Sequence, residues 1–312
     1  MTTNQKSEIK NQKSGFVSII GRPNAGKSTL LNALVGEKLA IVTAKPQTTR
    51  TRVLGILNVK AQKGRPAAQI IFVDTPGVHR PDSRLNRKML QEIHEALQSP
   101  DVILLIVDAS EHFGSGDQQA LELVQSYSGA RGSSAVFLLL NKIDKIPKEK
   151  LLLMIKQWNQ RHNFQEIIPL SAMKRQGLEI LLERIVTALP AGPRYFPEDQ
   201  LTDQPERFLA AEIIREKVLQ KTGKEVPYAI AVTIDQYEEL EKLNRIAATI
   251  YCEREGQKGI LIGRRGEKLK EIGTAARLEL ERLLGKKIFL ELFVKVQPGW
   301  RESSTFVEDL DW

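Results

Sequence analysis

At 312 residues the chain has room for two domains with separate cores. A single cysteine, Cys252, and four scattered histidines exclude a disulfide framework and a zinc cluster, and no apolar run approaches a membrane span. The net charge of +8 permits contact with nucleic acid or an anionic membrane without requiring either.

Residues 1–14 are polar and lack a signal-peptide core, so they read as a disordered extension of a cytoplasmic protein. Apolar runs then recur: FVSIIG (16–21), VLGILNV (53–59), QIIFVD (69–74), VILLIVD (102–108), AVFLLLN (135–141) and EIIPLS (166–171). Several are hydrophobic throughout, as strands covered on both faces are. Helical patterns fall between them at 83–98, 117–128, 148–161 and 176–188. The alternation predicts an α/β domain over 15–190 with a mostly parallel sheet and ligands beyond the carboxyl ends of its strands. The stretch PAGPRYFPEDQLTDQP holds four prolines, which makes 191–205 an expected linker. Beyond it come a helix (206–222), strands (228–235 and 244–253), a short helix (257–262), GRRG, a helix (267–284) and a strand (287–296). These elements predict a small α+β domain over 206–300, with a tail at 301–312.

Four motifs begin where strands end. GRPNAGKS fits GxxxxGK[ST] between a strand and a helix, the phosphate-binding loop. Its expected contacts are Gly21, Arg22, Pro23, Asn24, Ala25, Gly26, Lys27, Ser28 and Thr29, since backbone amides and the helix start converge on anionic oxygens. Lys27 suits neutralisation of the β- and γ-phosphates, and Ser28 suits Mg²⁺. DTPG supplies Asp74 for a water-mediated Mg²⁺ contact, Thr75 and Pro76 for the turn, and the Gly77 amide for the γ-phosphate. NKID selects the base: guanine offers two N–H donors that the Asp144 carboxylate accepts together, which adenine cannot match. Asn141 can bridge base and loop, while the Lys142 stem packs over the ring. Ser171, Ala172 and Met173 follow the strand EIIPL and can give a backbone amide to guanine O6. These residues predict a GTPase that takes GTP, GDP and Mg²⁺.

In KPQTTRTR (45–52), Thr49 or Thr48 can reach Mg²⁺ while the γ-phosphate is present and leave after hydrolysis. Val78 stands where many such enzymes carry a water-orienting glutamine. Turnover is therefore expected to be slow and to rest on Lys27, Asn24, Thr49 and Gly77. Asn24 offers an oxygen near the phosphates that suits K⁺.

GRRG has the arrangement of a KH domain, which clamps about four nucleotides. Gly263 and Gly266 let a nucleic-acid backbone approach, and Arg264, Arg265 and Lys268 meet its phosphates. Residues 253–287 hold ten Lys/Arg against six Glu, a net of +4. Ile260, Ile262, Leu269, Ile272 and Ala276 line a base groove or fill the core, and helical spacing favours the core for most. Trp300 can stack on a base or pack on the domain.

Over residues 15–305 the chain resembles the Era family of bacterial GTPases. The resemblance lies in GRPNAGKSTLLN, PQTTRTR, DTPG, NKID, SAM, FPEDQLTDQPERF, AAEIIREK, EREGQKGILIGRRG and FVKV. It implies a type II KH fold and a role in 30S ribosomal subunit assembly through 16S rRNA near its 3′ end. It also implies peripheral contact with the cytoplasmic membrane, and the protein is expected to be a monomer. A membrane-associated GTPase that couples growth or cell cycle to GTP state is the alternative reading.

Overall fold

The computed structural model describes residues 12–43, 45, 48–62, 64–78, 82–128, 134–223, 226 and 230–310. The expected N-terminal extension lies outside the described residues as far as residue 11, as do Pro46 and Gln47. Contacts divide the chain into two units. The first is Met1–Ala40, Thr49–Arg80 and Met89–Asp203; the second is Ile41–Thr48, Pro81–Lys88 and Gln204–Trp312.

The first unit is built on a six-stranded sheet. Its strands are β1 (Gln12–Ile20), β2 (Val53–Val59), β3 (Ala67–Asp74), β4 (Val102–Asp108), β5 (Ala135–Asn141) and β6 (Glu166–Pro169). They lie in the order β2-β3-β1-β4-β5-β6. All pairs are parallel except β2 with β3. A connection of seven residues separates those two strands, too short for the crossover that parallel pairing demands. Every residue of β4 is buried, and so is all of β5 after Ala135, which accounts for their unbroken apolar sequence. β1 begins earlier than its apolar run because Gln12–Ser14 continue the register with Ala67–Gln69. β1 lies between β3 and β4, so the chain passes from one side of β1 to the other between those strands, and ligands gather at such a switch point. Between strands lie α1 (Lys27–Val35), α2 (Arg84–Ala96), α3 (Ser115–Ser128), α4 (Lys148–Asn159) and α5 (Leu178–Ala188).

The proline-rich stretch is held along β2 and β3 as far as Thr202. The fully buried Gln69 side chain accepts the backbone N–H groups of Tyr195 (2.7 Å) and Phe196 (2.9 Å). Its Nε2 donates to the Phe196 carbonyl (2.9 Å) and to Asn58 Oδ1 (3.0 Å). Further along, Ile56 N–H donates to the Leu201 carbonyl (2.8 Å), and the Thr202 hydroxyl donates to the Leu54 carbonyl (2.6 Å).

In the second unit α6 (Glu206–Lys221) precedes β7 (Ala231–Glu239) and β8 (Leu243–Cys252). Then come α7 (Glu255–Ile262), α8 (Glu267–Leu284), β9 (Lys287–Val296) and a short α9 (Ser304–Asp309). The sheet runs β7-β8-β9, antiparallel then parallel, as the α7–α8 crossover allows. Its core joins Ile214 and Val218 of α6 to Ile250, Leu261, Ile272 and Ile288. α6 also carries three consecutive buried charges. Arg215 pairs with both oxygens of Glu212 (2.6 and 2.7 Å) and donates to the Thr48 carbonyl. Glu216 accepts from Val42 N–H and from Lys217 Nζ, both at 2.8 Å, and Lys217 also pairs with Glu279 of α8. Each buried charge has an opposite partner, the condition under which burial is tolerated.

Replacing Gln69 with Leu strips two part-buried backbone N–H groups of their acceptor. The variant is expected to lose about 1–3 kcal/mol in urea denaturation and to be cut faster by protease within residues 193–202. Wild-type behaviour in both assays would show that this amide does not hold the stretch.

Candidate functional site

The phosphate loop lies between β1 and α1. Asn24 takes a left-handed backbone (φ 62°), and Gly26 caps the helix at φ 106°. Lys27 is buried, and its Nζ donates to the Gly21 and Arg22 carbonyls, each at 3.0 Å. Burial lowers its pKa to about 8, against an opposing pull from Asp74. Arg22 is held outward by Glu111 (2.8 Å) and Asp117 (3.3 Å).

Ser28, Thr49 and Asp74 meet. Ser28 Oγ donates to Asp74 Oδ2 at 2.6 Å and lies 2.8 Å from Thr49 Oγ1. Thr48 instead bonds Thr43 Oγ1 (2.7 Å) and the Lys45 carbonyl (2.6 Å). Asp74 is fully buried, and its Oδ1 has no hydrogen-bond partner. Burial raises its pKa to about 6, although Lys27 and the Ser28 and Thr49 hydroxyls pull it down. Two hydroxyls and a carboxylate with an unused buried oxygen suit a hard divalent cation such as Mg²⁺.

DTPG packs tightly against the phosphate loop. A Cβ on Gly77 would stand 2.7 Å from Pro23 N and Cγ, so glycine is needed for packing before any phosphate binds. The Thr75 hydroxyl donates to the Ile19 carbonyl (2.8 Å), and Val78 N–H to the Gly21 carbonyl (3.1 Å). The Val78 side chain is buried in the core.

The NKID and SAM loops are tied to the phosphate loop through Asn141. Its Nδ2 donates to the Ala25 carbonyl (2.8 Å), and its Oδ1 accepts Ala172 N–H (3.0 Å). Lys142 Nζ donates to the Asn24 carbonyl (2.8 Å) and to Asp108 Oδ2 (2.6 Å). Burial pushes the Asp108 carboxyl up, but hydrogen bonds from Lys142 and Ser110 outweigh it and hold the group below its usual value. Asp144 stands exposed in a 3₁₀ turn, Ile143–Lys145, where its carboxylate can receive a base edge. Ser171 and Ala172 are buried, whereas Met173 is exposed.

In the second unit GRRG forms a 3₁₀ turn between α7 and α8. Gly263 (φ 72°), Arg265 (φ 51°) and Gly266 (φ 81°) all adopt positive φ. At Gly263 a Cβ would also meet Lys268 Cβ at 2.6 Å. Arg264 and Arg265 are exposed, and Lys268 pairs with Glu271 at 2.7 Å. Of the groove-or-core residues, Ile272 and Ala276 are fully buried, Leu269 packs on the core, and Ile260 is exposed. Trp300 has no exposed surface and rests against Phe306, with centroids 5.6 Å apart. It therefore packs on the domain and cannot stack on RNA.

Sequence reading missed Asp108, Glu111 and Asp117. Asp108 ends β4 opposite Asn141 in the strand register, a neighbourhood that only sheet pairing creates.

Comparison with known proteins agrees with this geometry. Residues 16–142 match a family described as 50S ribosome-binding GTPase, and residues 225–301 match the KH domain family. The GTPase Era of Geobacter metallireducens is 49% identical over 302 residues, covering 96% of this chain and 98% of that one. GTPase Era of Staphylococcus haemolyticus is 44% identical, covering 96% and 97%. Among solved structures, Era in complex with MgGDPNP and nucleotides 1506–1542 of 16S ribosomal RNA matches with TM-score 0.89 at 42% identity, covering 96% of this chain and 99% of that one. A variant of Aquifex aeolicus Era bound to GDP·AlF₄⁻ gives the same figures.

The raised Asp74 pKa gives the ligand-free protein a signed pH dependence. Between about pH 4 and 6 the folded chain keeps a proton on Asp74 that the unfolded chain has released, so rising pH removes stability. Relative to an Asp74→Asn variant, wild-type protein is expected to lose about 1 kcal/mol per pH unit across that window. Urea denaturation at pH 4, 5 and 6 measures the difference, and a pH-independent difference would contradict the burial argument.

Proposed function

This chain belongs to the Era family of GTPases and hydrolyses GTP, and from that premise we propose a switch in which bound GTP governs capture of 16S rRNA near its 3′ end. The GRRG domain makes the capture, in service of 30S subunit assembly. The observation that carries the reading is the hydrogen-bonded cluster of Ser28, Thr49 and Asp74. Thr49 follows directly on Ile41–Thr48, a segment that belongs to the second unit, where Arg215 and Glu216 hold it. Thr49 is therefore the covalent neighbour of a segment that α6 holds.

Each loop has a task in this reading. Lys27 and the loop amides hold the β- and γ-phosphates and absorb charge as the γ-phosphoryl group transfers to water. Ser28, Thr49 and Asp74 would hold Mg²⁺, and the cation would supply neutralising charge at the phosphates. Gly77 brings its backbone amide to the γ-phosphate. Asp144 selects guanine, Asn141 fixes that loop, and Ala172 offers its neighbourhood to O6. Because Val78 is buried, no side chain of DTPGV polarises the attacking water, and turnover is slow. Asn24, exposed at the loop's crest, holds K⁺ in place of an inserted arginine. Arg264, Arg265 and Lys268 meet RNA phosphates.

The protein is proposed to act as a cytoplasmic monomer. Among the described residues no helix is long and apolar enough to cross a membrane. Peripheral contact with an anionic surface has a feature to use in Leu152 and Leu153, exposed on α4 beside Lys148 and Lys156.

Two measurements test the proposal. A 16S 3′-end RNA oligonucleotide is expected to bind about tenfold tighter with a non-hydrolysable GTP analogue than with GDP; equal affinities would remove the switch. GTP hydrolysis is expected to run faster in K⁺ than in Na⁺, with the difference lost in Asn24→Ala; equal rates would remove the K⁺ role.

A further inference from the structure

Along β9 the side chains alternate. Ile288, Leu290, Leu292 and Val294 turn to the helices and join the core. Lys287, Phe289, Glu291, Phe293 and Lys295 take the opposite face, which no helix of the α7–α8 crossover covers. Burying an aromatic side chain is favourable, yet Phe289 and Phe293 remain 51% and 52% exposed. The other end of this face is closed differently. Tyr251 stands opposite Lys295 and packs edge-on against Phe306 of α9, with centroids 4.9 Å apart. The C-terminal helix thus covers the Tyr251 end and leaves both phenylalanine rings to solvent.

The charges around the rings are mixed: lysines stand at both ends of the face, Lys287 also pairs with Glu281 (3.5 Å), and Asp235 accepts from Thr249 (2.6 Å), the cross-strand neighbour of Phe293. Lys287 and Lys295 flank the pair, each two residues from a ring on the same face. The one acid of the strand, Glu291, is neutralised by Arg245 at 3.2 Å. That same guanidinium lies 5.7 Å from the Phe289 ring centroid. The helices that flank the GRRG turn lie on the other face of this same strand. Both pack on β9, and Gly273 of α8 sits close enough to Leu292 that an added Cβ would stand 3.3 Å from it. β9 is the outer strand of the sheet, so RNA leaving the turn can pass over its edge onto the rings.

We propose that the helix-free face of β9 is a nucleobase-stacking platform for single-stranded RNA continuing from the GRRG turn. Phe289 and Phe293 each stack on one base, while Lys287 and Lys295 meet the adjoining phosphates. The rings lie four residues apart, about 13 Å along the strand, so they take separate bases and do not sandwich one. Every base has a π-face, so the platform lengthens the bound RNA without demanding a sequence. The inference rests on the RNA-binding reading above.

The test uses full-length protein with a non-hydrolysable GTP analogue at fixed salt. The probes are fluorescent single-stranded RNAs from the 16S 3′ end, one of about four nucleotides and one of about twelve. The Phe289→Ala/Phe293→Ala protein is expected to bind the longer RNA at least about tenfold more weakly and the shorter one as wild type does. GTP turnover should not change, because the rings lie outside the nucleotide site, and the thermal midpoint should stay well above the assay temperature. Phe289→Leu/Phe293→Leu should fail like the alanine protein, since leucine keeps apolar bulk but has no π-face, and Phe289→Tyr/Phe293→Tyr should restore binding. Wild-type affinity for the longer RNA in the alanine protein, or full binding in the leucine protein, would overturn the platform while leaving the GRRG reading intact. If wild-type protein bound neither RNA, the RNA-binding reading would fall and the platform with it.

Discussion

One buried amide holds the nucleotide site together. Asn141 reaches across 116 residues of sequence to the Ala25 carbonyl of the phosphate loop and accepts from Ala172, just beyond the neighbouring strand β6. Three loops rising from three strands are thereby fixed relative to one another. The contact also dictates its neighbour: a Cβ on Gly26 would stand 2.3 Å from Asn141 Nδ2. Lys142, in a left-handed conformation, adds a second tie to the Asn24 carbonyl. The spacing between the NKID, SAM and phosphate loops is thus set by contacts within the protein itself, which is what preorganisation requires.

Electrostatics at the cradle follow from burial. Lys27 and Asp74 are both removed from water, and both are drawn toward their neutral forms, to about 8 and about 6. A polyanion with a divalent cation reverses that tendency by giving each its opposite charge. Within the protein Lys27 donates to two backbone carbonyls and Ser28 to Asp74. These contacts satisfy the polar groups without collapsing the loop, whereas the unpartnered Asp74 Oδ1 keeps part of the desolvation cost in place.

The second unit uses the same residue types in opposite ways. Arg264 and Arg265 stand in solvent on a turn with left-handed backbone, where their charge is available to a phosphate chain. Arg215 and Lys217 are buried on α6, and their charge is consumed by Glu212, Glu216 and Glu279. Aromatic residues divide likewise, with Trp300 enclosed under α9 and Phe289 and Phe293 left outside. Residue type alone does not separate these cases.

Periodicity and motif spacing in the sequence sufficed for much of this architecture. β2, β4, β5, α8 and β9 fall on the expected residues because their apolar patterns are unbroken and bounded by polar or glycine positions. The phosphate, DTPG, NKID and SAM loops were legible because each demands particular residue types at short fixed spacing. The sequence by itself determined these local commitments. Only the tertiary structure decided between Thr48 and Thr49 as neighbour of Ser28, brought Asp108 to Lys142, enclosed Trp300 and exposed the rings of β9. Those outcomes depend on which strands pair and in what register, and on which face the terminal helix covers. They are properties of contacts between distant residues, which no local pattern encodes.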